Sequence, residues 1–291
     1  MTGGGGPHHP SPVRRIDLHL HSTASDGVLT PGQIVGAAKS ANVDVIALTD
    51  HDSIGGIAEA RAVAGAAVHV IAGVELSAHD DERELHVLGL HLERMEALSA
   101  RLTQLARARE ERAKTMVLNL NAVGVRIEFA DVLALSGGAA ALGRPHIART
   151  LVAHGWAQDH RDAFERYLLP GRPGYVSKER LTVAEAIAIL HDAGGLAILA
   201  HPALEDSLDR ITQFAQSGLD GVEVAHPSLT ADDRARLKAV ADHLGLVKSG
   251  GSDWHGLKEG PKRLGAEDVP LAWLEAQYDR VASRRAQKQV A

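Results

Sequence analysis

From residue 13 onward, short β-branched apolar runs alternate with Ala- and Leu-rich stretches whose apolar positions recur at helical spacing. Seven runs predict strands, over residues 13–20, 43–49, 68–74, 83–90, 195–200, 221–225 and 244–250. Strands alternating with helices predict a parallel α/β domain. The side chains at the strand ends sharpen this. The first strand ends in His19 and His21, the second in Asp50, His51 and Asp52, and the third in Glu75. The fourth carries His86, the fifth ends at His201, the sixth runs to Glu223 and His226, and the seventh to Asp253 and His255. In a β/α barrel the strand ends converge on one face, so residues far apart in sequence meet in one pocket.

The stretch between the fourth and fifth strands is too long for a structureless loop. Its pattern predicts helices from Met95 to about Val123, Phe129 to Leu135, Pro145 to His154 and His160 to Leu168, with Val183 to Ala193 as a crossover helix of the barrel. The expected organisation is a disordered lead at 1–13, a barrel formed by 14–93 and 179–278, a helical cap subdomain inserted at 94–178, and a frayed tail at 279–291. The Gly- and Pro-rich N-terminus has no apolar core of a secretory signal, and His8 and His9 within it are expected to be solvated. No apolar run is long enough to span a membrane, and the cytoplasm is the expected compartment.

Composition narrows the chemistry. The 291 residues include 17 His and no Cys, which excludes disulfides, thiolate zinc sites, iron–sulfur clusters and thiol nucleophiles. Any metal must be held by imidazole and oxygen. A net charge of −6 and three each of Trp, Tyr and Phe argue against a general nucleic-acid binder or a base-stacking platform. There is no P-loop and no nucleophile elbow.

The sharpest motif is Asp17-Leu18-His19-Leu20-His21-Ser22. His19 and His21 share a strand face and can reach one ion. An HxH pair alone is weak evidence, but Asp26 comes next in a turn, and TDHD at 49–52, AHP at 200–202 and SDWH at 252–255 each place a His at a strand end. With these four motifs in order, and Glu75 and His86 between the second and third, the chain resembles the PHP (polymerase and histidinol phosphatase) superfamily of metal-dependent phosphoesterases. The resemblance implies a distorted seven-stranded (β/α)7 barrel and two or three divalent ions, Mn²⁺ foremost with Fe²⁺ or Zn²⁺ as alternatives. It implies that His19, His21, Glu75 and Asp253 hold a first ion, that Glu75 bridges to a second held by His86 and His201, and that Asp26, His51 and His255 hold a third. Several relatives have His where this chain has Asp26. Asp17, Asp50 and Asp52 are expected to accept hydrogen bonds from the ligating imidazoles. Two close ions supply hydroxide for attack on phosphorus without a protein nucleophile. Asp26, His201 and His226 are the candidate catalytic groups. The other histidines, His69, His79, His91, His154, His160, His191 and His243 among them, read as packed or surface residues.

In the insertion, Leu98, Leu102, Leu105, Arg109, Arg112 and Met116 form one stripe at helical spacing. Arg109 and Arg112 interrupt its apolar face, either as a solvated edge paired with Glu110 and Glu111 or as a phosphate clamp facing the barrel mouth. At 143–148, Pro145 predicts a first helical turn, so Arg144 and His146 stand beside a helix N-terminus suited to an anion. Both stretches resemble the insertion of small bacterial PHP enzymes acting on nucleoside 3′,5′-bisphosphates and short RNA. The candidate substrate contacts are therefore Asp26, Arg109, Arg112, Arg144, Pro145, His146, Lys178 and His226. The expected activity is hydrolysis of nucleotide phosphomonoesters, extending to AMP and short 5′-phosphorylated oligoribonucleotides, with no membrane and no stable protein partner. Histidinol-phosphate phosphatase, a metal-dependent amidohydrolase and a non-catalytic scaffold are the alternatives. Two phosphate-binding stretches disfavour the first, the pairing of Asp253 with His255 the second, and the full set of ligand positions the third.

Overall fold

The computed structural model describes residues 15–81, 83–136, 142–177, 181–202, 208–256 and 262–290. The lead at 1–13 with His8 and His9, and the candidate Lys178, lie outside the described residues. Seven strands form one curled sheet in chain order: β1 Ile16–Leu20, β2 Val45–Leu48, β3 His69–Asp80, β4 Arg83–Leu90, β5 Leu196–Leu199, β6 Gly221–Ala225 and β7 Val247–Gly250. It is an open, distorted barrel whose edges meet at one bridge, Leu20 to Trp254, supported by the His21 N–H donating to the Trp254 carbonyl at 3.0 Å. Gly251 permits that approach, because a Cβ there would lie 2.4 Å from the His19 nitrogen.

The expectation of a parallel sheet needs one correction. β4 runs antiparallel to both β3 and β5, while the remaining pairs are parallel. Only residues 81 and 82 separate β3 from β4, enough for a hairpin and too few for a parallel crossover. The reversal puts the N-terminal half of β4 at the mouth, so His86, paired with Ser77 in register, joins the other ligand-type residues.

Helices α1 Pro31–Ser40, α2 Ile57–Ala64, α7 Val183–Asp192, α8 Leu208–Gln216, α9 Ala231–Leu244 and α10 Leu271–Val290 cover the sheet. Thr30, Thr182 and Thr230 start α1, α7 and α9 by capping boxes with Gln33, Glu185 and Asp233. Between β4 and β5 lie α3 Met95–Ala122, α4 Phe129–Leu135, α5 Arg144–Ala153, α6 His160–Ala163 and a π-helical turn at Phe164–Leu168. Their buried side chains, among them Met116, Leu120, Ile147, Leu151 and Leu168, form a hydrophobic cluster separate from those of the sheet. The stretch from 279 does not fray but continues α10 to Val290. Buried Val281 and the contacts of Arg284 with Asp220 and the Gly218 carbonyl hold it down.

Candidate metal centre

Glu75 sits at the centre of the mouth, 1% exposed. Its Oε2 lies 3.2 Å from each of His19 Nε2, His21 Nε2 and His51 Nδ1. Its Oε1 lies 3.0 Å from both His86 Nδ1 and His201 Nε2. The two oxygens thus face two different sets of imidazoles, the arrangement a bridging carboxylate requires. Burial would raise the Glu75 pKa, but His19, His201 and His21 hold it well below the usual carboxylate range.

Around this carboxylate the donor atoms fall into overlapping groups. His19, His21 and Asp253 make one, and His19, Glu75 and His201 another. His51, Glu75 and His86 form a third group, and His21, Asp26, His51 and His255 a fourth. Every residue expected as a ligand is brought to the mouth, and His21 additionally reaches the Asp26 group. Asp26 is more exposed than the rest, with 56% of its side chain accessible, and lies 3.4 Å from His255 Nε2. Burial would raise its pKa, but His255, His51 and His21 depress it strongly.

The residues fit divalent metal by a test internal to the structure. Both ring nitrogens of His21 are buried without a hydrogen-bond partner, although Nε2 stands 3.1 Å from Asp253 Oδ1. Buried polar atoms left unpaired are costly, so the His21 nitrogens, amid carboxylates and imidazoles, point to a cation as their partner. The donor set is imidazole and carboxylate, with no thiolate.

Neighbours with fixed roles set the tautomers. His255 Nδ1 donates to the Asp253 carbonyl at 2.9 Å, leaving Nε2 free towards Asp26. His226 Nδ1 accepts the Ser228 N–H at 3.1 Å and the Ser228 hydroxyl at 2.7 Å, so its proton is on Nε2, directed at Asp253 Oδ2 at 3.3 Å. At 3% exposure His226 is a buried neighbour of the centre. Asp52, His201 and Asp253 all have positive φ, at 48°, 26° and 50°, a conformation uncommon outside glycine that concentrates at functional turns.

The expected role of the three motif aspartates needs correcting. Asp17 accepts the backbone N–H groups of Ser252 and Gly265, while burial pushes its carboxyl up to about 6. Asp50 accepts from Ser22 and Ser25. Asp52 accepts from Ser77 and is ion-paired with Arg109 at 2.7 Å. None of these bonds involves a ligating imidazole, because the loops beyond the strands have their own N–H and O–H groups to satisfy. The carboxylate that orients an imidazole is Glu223, missed in the sequence. Its Oε1 lies 3.0 Å from His19 Nδ1, and its Oε2 accepts the His201 backbone N–H at 2.7 Å.

Beside the centre, Ser77, Leu105, Ala108, Arg109, Arg112, Ser177 and Leu181 line a cleft of about 150 Å³. Arg109 comes off α3 towards the mouth and is partly neutralised by Asp52, rather than by Glu110 or Glu111. Arg112 donates to the Val176 carbonyl at 2.8 Å. Burial and the charges of Arg144 and Arg109 push its pKa down, so three guanidinium groups repel one another here. Arg144 lies over the rings of Phe164 and Tyr175. His146 Nδ1 accepts the Gly143 N–H at 3.1 Å, capping the start of α5, with Pro145 in its first turn.

Residues 17–169 match the sequence model of the PHP domain. A Chromobacterium violaceum protein named 3′,5′-nucleoside bisphosphate phosphatase is 38% identical over 89% of this chain and 93% of its own. The Escherichia coli 5′-3′ exoribonuclease Rnm is 36% identical over 82% and 84%. A solved structure from Bifidobacterium adolescentis, provisionally described as a metal-dependent phosphoesterase, superposes with a TM-score of 0.73 at 31% identity and covers 92% of this chain and 97% of its own.

Proposed function

The chain belongs to the PHP domain family and is a phosphoesterase, and from that premise we propose that it hydrolyses nucleotide phosphomonoesters, nucleoside 3′,5′-bisphosphates first and short 5′-phosphorylated oligoribonucleotides second. The observation that carries this reading is the arginine cleft beside Glu75. Arg109 is bonded to Asp52, the residue after His51, so the cationic cleft and the donor cluster are adjacent. A substrate with two phosphates would present one to each.

His19, His21, Glu75 and Asp253 would hold one ion, Glu75, His86 and His201 a second, and Asp26, His51 and His255 a third. Mn²⁺ is the first choice. When bound, such ions acidify water and neutralise phosphoryl oxygens. Glu223 fixes the His19 ring, with its proton on Nδ1 and its lone pair on Nε2. Asp26 is the most accessible group of the cluster and faces the substrate, His201 is part-exposed at the mouth, and His226 acts through Asp253. Arg112, Arg144 and His146, with Lys178 a further candidate, hold the second phosphate. The cytoplasm, where nucleotides are abundant, is the proposed compartment.

A substrate panel on the Mn²⁺-loaded protein tests this. It compares adenosine 3′,5′-bisphosphate, AMP, histidinol phosphate, a short 5′-phosphorylated RNA and an amide. The bisphosphate is expected to give the highest kcat/KM. A preference for histidinol phosphate, which offers nothing to the arginine cleft, would overturn the substrate assignment, and turnover of the amide alone would overturn the reaction class.

A further inference from the structure

The carboxylate of Asp253 divides its two oxygens between different surroundings. Oδ1 faces the donor cluster, 3.1 Å from His21 Nε2, 3.5 Å from His19 Nε2 and 3.6 Å from His255 Nδ1. Oδ2 faces away, 3.3 Å from His226 Nε2, and accepts a charged hydrogen bond from Lys262 Nζ. The two groups on Oδ2 differ in kind. His226 is buried and brings a neutral N–H whose place is set by Ser228, whereas the Lys262 side chain is 40% exposed and brings a full charge. Lys262 lies beyond the last ligand motif and belongs to no motif recognised in the sequence.

A carboxylate with both oxygens free can bind a cation through one or both. Occupation of Oδ2 removes that choice, and an ammonium group there also withdraws charge from the carboxylate. We propose that Lys262 is a positioning residue that pins Asp253 Oδ2, so that Asp253 offers only Oδ1 to a divalent ion and donates less charge to it. The inference rests on the reading of His19, His21, Glu75 and Asp253 as ligands. Its consequence is a trade: Lys262 weakens binding of the ion and keeps it a stronger Lewis acid.

The test compares wild type, Lys262→Met and Lys262→Arg. Mn²⁺ affinity of the metal-stripped proteins is measured by calorimetry, kcat and KM are measured at saturating Mn²⁺, and Tm checks the fold. Loss of a unit charge several ångströms from a divalent ion is expected to tighten Mn²⁺ binding about tenfold in Lys262→Met. We expect kcat to fall about tenfold with KM unchanged, because the ion then polarises less, and Lys262→Arg to restore both values. Unchanged Mn²⁺ affinity in Lys262→Met overturns the proposal. Weaker binding with a lower Tm makes Lys262 a structural prop instead, and a rise in KM alone makes it a substrate contact; each refutes the positioning role. A wild type that binds no Mn²⁺ refutes the ligand reading itself, a result distinct from these.

Discussion

Glu223 shows how one side chain sets the state of another. It is fully buried in a strand of otherwise apolar or glycine residues, where an unpaired carboxylate would be prohibitive, and its partners are the His19 ring and the His201 backbone. Gln keeps the shape but turns an NH₂ group towards one of those donors. Glu223→Gln is therefore expected to lower metal affinity and kcat by roughly 10–100-fold, as losses of such partners do, read from metal retained after dialysis and from steady-state rates. Unchanged retention would show that His19 needs no orienting partner. The ligand-type residues themselves were legible because period-two spacing and strand ends reveal them. Glu223 lies inside a predicted strand without a motif around it, and the signal that singles it out is parity. Val222 and Val224 pack in the cluster outside the sheet, so Glu223 between them must point inward. Arg109 was legible as a residue aimed at the mouth, but its bond to Asp52 joins positions 57 apart, which no local pattern encodes.

At the level of elements, the helices of the insertion and α7 were legible almost to their ends, since caps and apolar stripes are local, whereas the second half of α10 read as a frayed tail because its charged, Gln-rich pattern carries no clear stripe. The direction of β4 was not, because an apolar run reads alike either way, and only the two-residue connection to β3 held the information. The inserted helices have their own cluster, which leads us to treat them as a subdomain. Leu120, fully buried in that cluster and packed against Gly174, tests it. Leu120→Ala is expected to cost about 2–5 kcal/mol in the unfolding of the insertion, seen by denaturation, while bound Mn²⁺ stays at the wild-type level. Loss of metal together with the helices would mean that insertion and barrel fold as one unit. Arg112 supplies the companion prediction. Arg112→Ala should raise KM for adenosine 3′,5′-bisphosphate about tenfold or more and leave the KM for AMP nearly unchanged, since only the former has a second phosphate to lose. Equal losses on both substrates would place the cleft on the scissile phosphate instead.

For the whole molecule, metal and protons compete for the same atoms. Burial alone would lower the His19 pKa, but Glu223 and Glu75 hold it well above the usual imidazole range, and His21 and His86 are raised against burial by their carboxylate neighbours. Burial dominates at His51, pushed down to about 4, so it is neutral already at pH 7. Glu75 and Asp253 are depressed and ionised throughout. A ligating imidazole must be neutral, so an entering ion displaces protons from the imidazoles whose raised pKa values keep them charged to higher pH, His19 foremost, and affinity rises with pH. The metal-free fold behaves oppositely. Imidazoles with raised pKa values contribute stability that is complete below their ordinary 6.5 and is lost as pH rises through the folded values. Glu75 and Asp253 contribute stability present above their ordinary 4.5 and 3.8 and lost in acid. His51, whose pKa is pushed down to about 4, gives up stability as pH falls from 6.5 towards 4, so the site favours the metal-free fold most towards pH 6.5, and alkali beyond it progressively leaves its carboxylates without cations. Thermal unfolding of chelator-treated and Mn²⁺-loaded protein from pH 5 to 8 should give Tm values that diverge as pH rises. Mn²⁺ at a hundred times its Kd adds about 2.7 kcal/mol, and that Kd itself falls with pH. Calorimetry in buffers of different ionisation enthalpy should register proton release at pH 7. A Tm gap that narrows with pH, or binding without proton release, would show that the buried imidazoles are not the groups that take the metal.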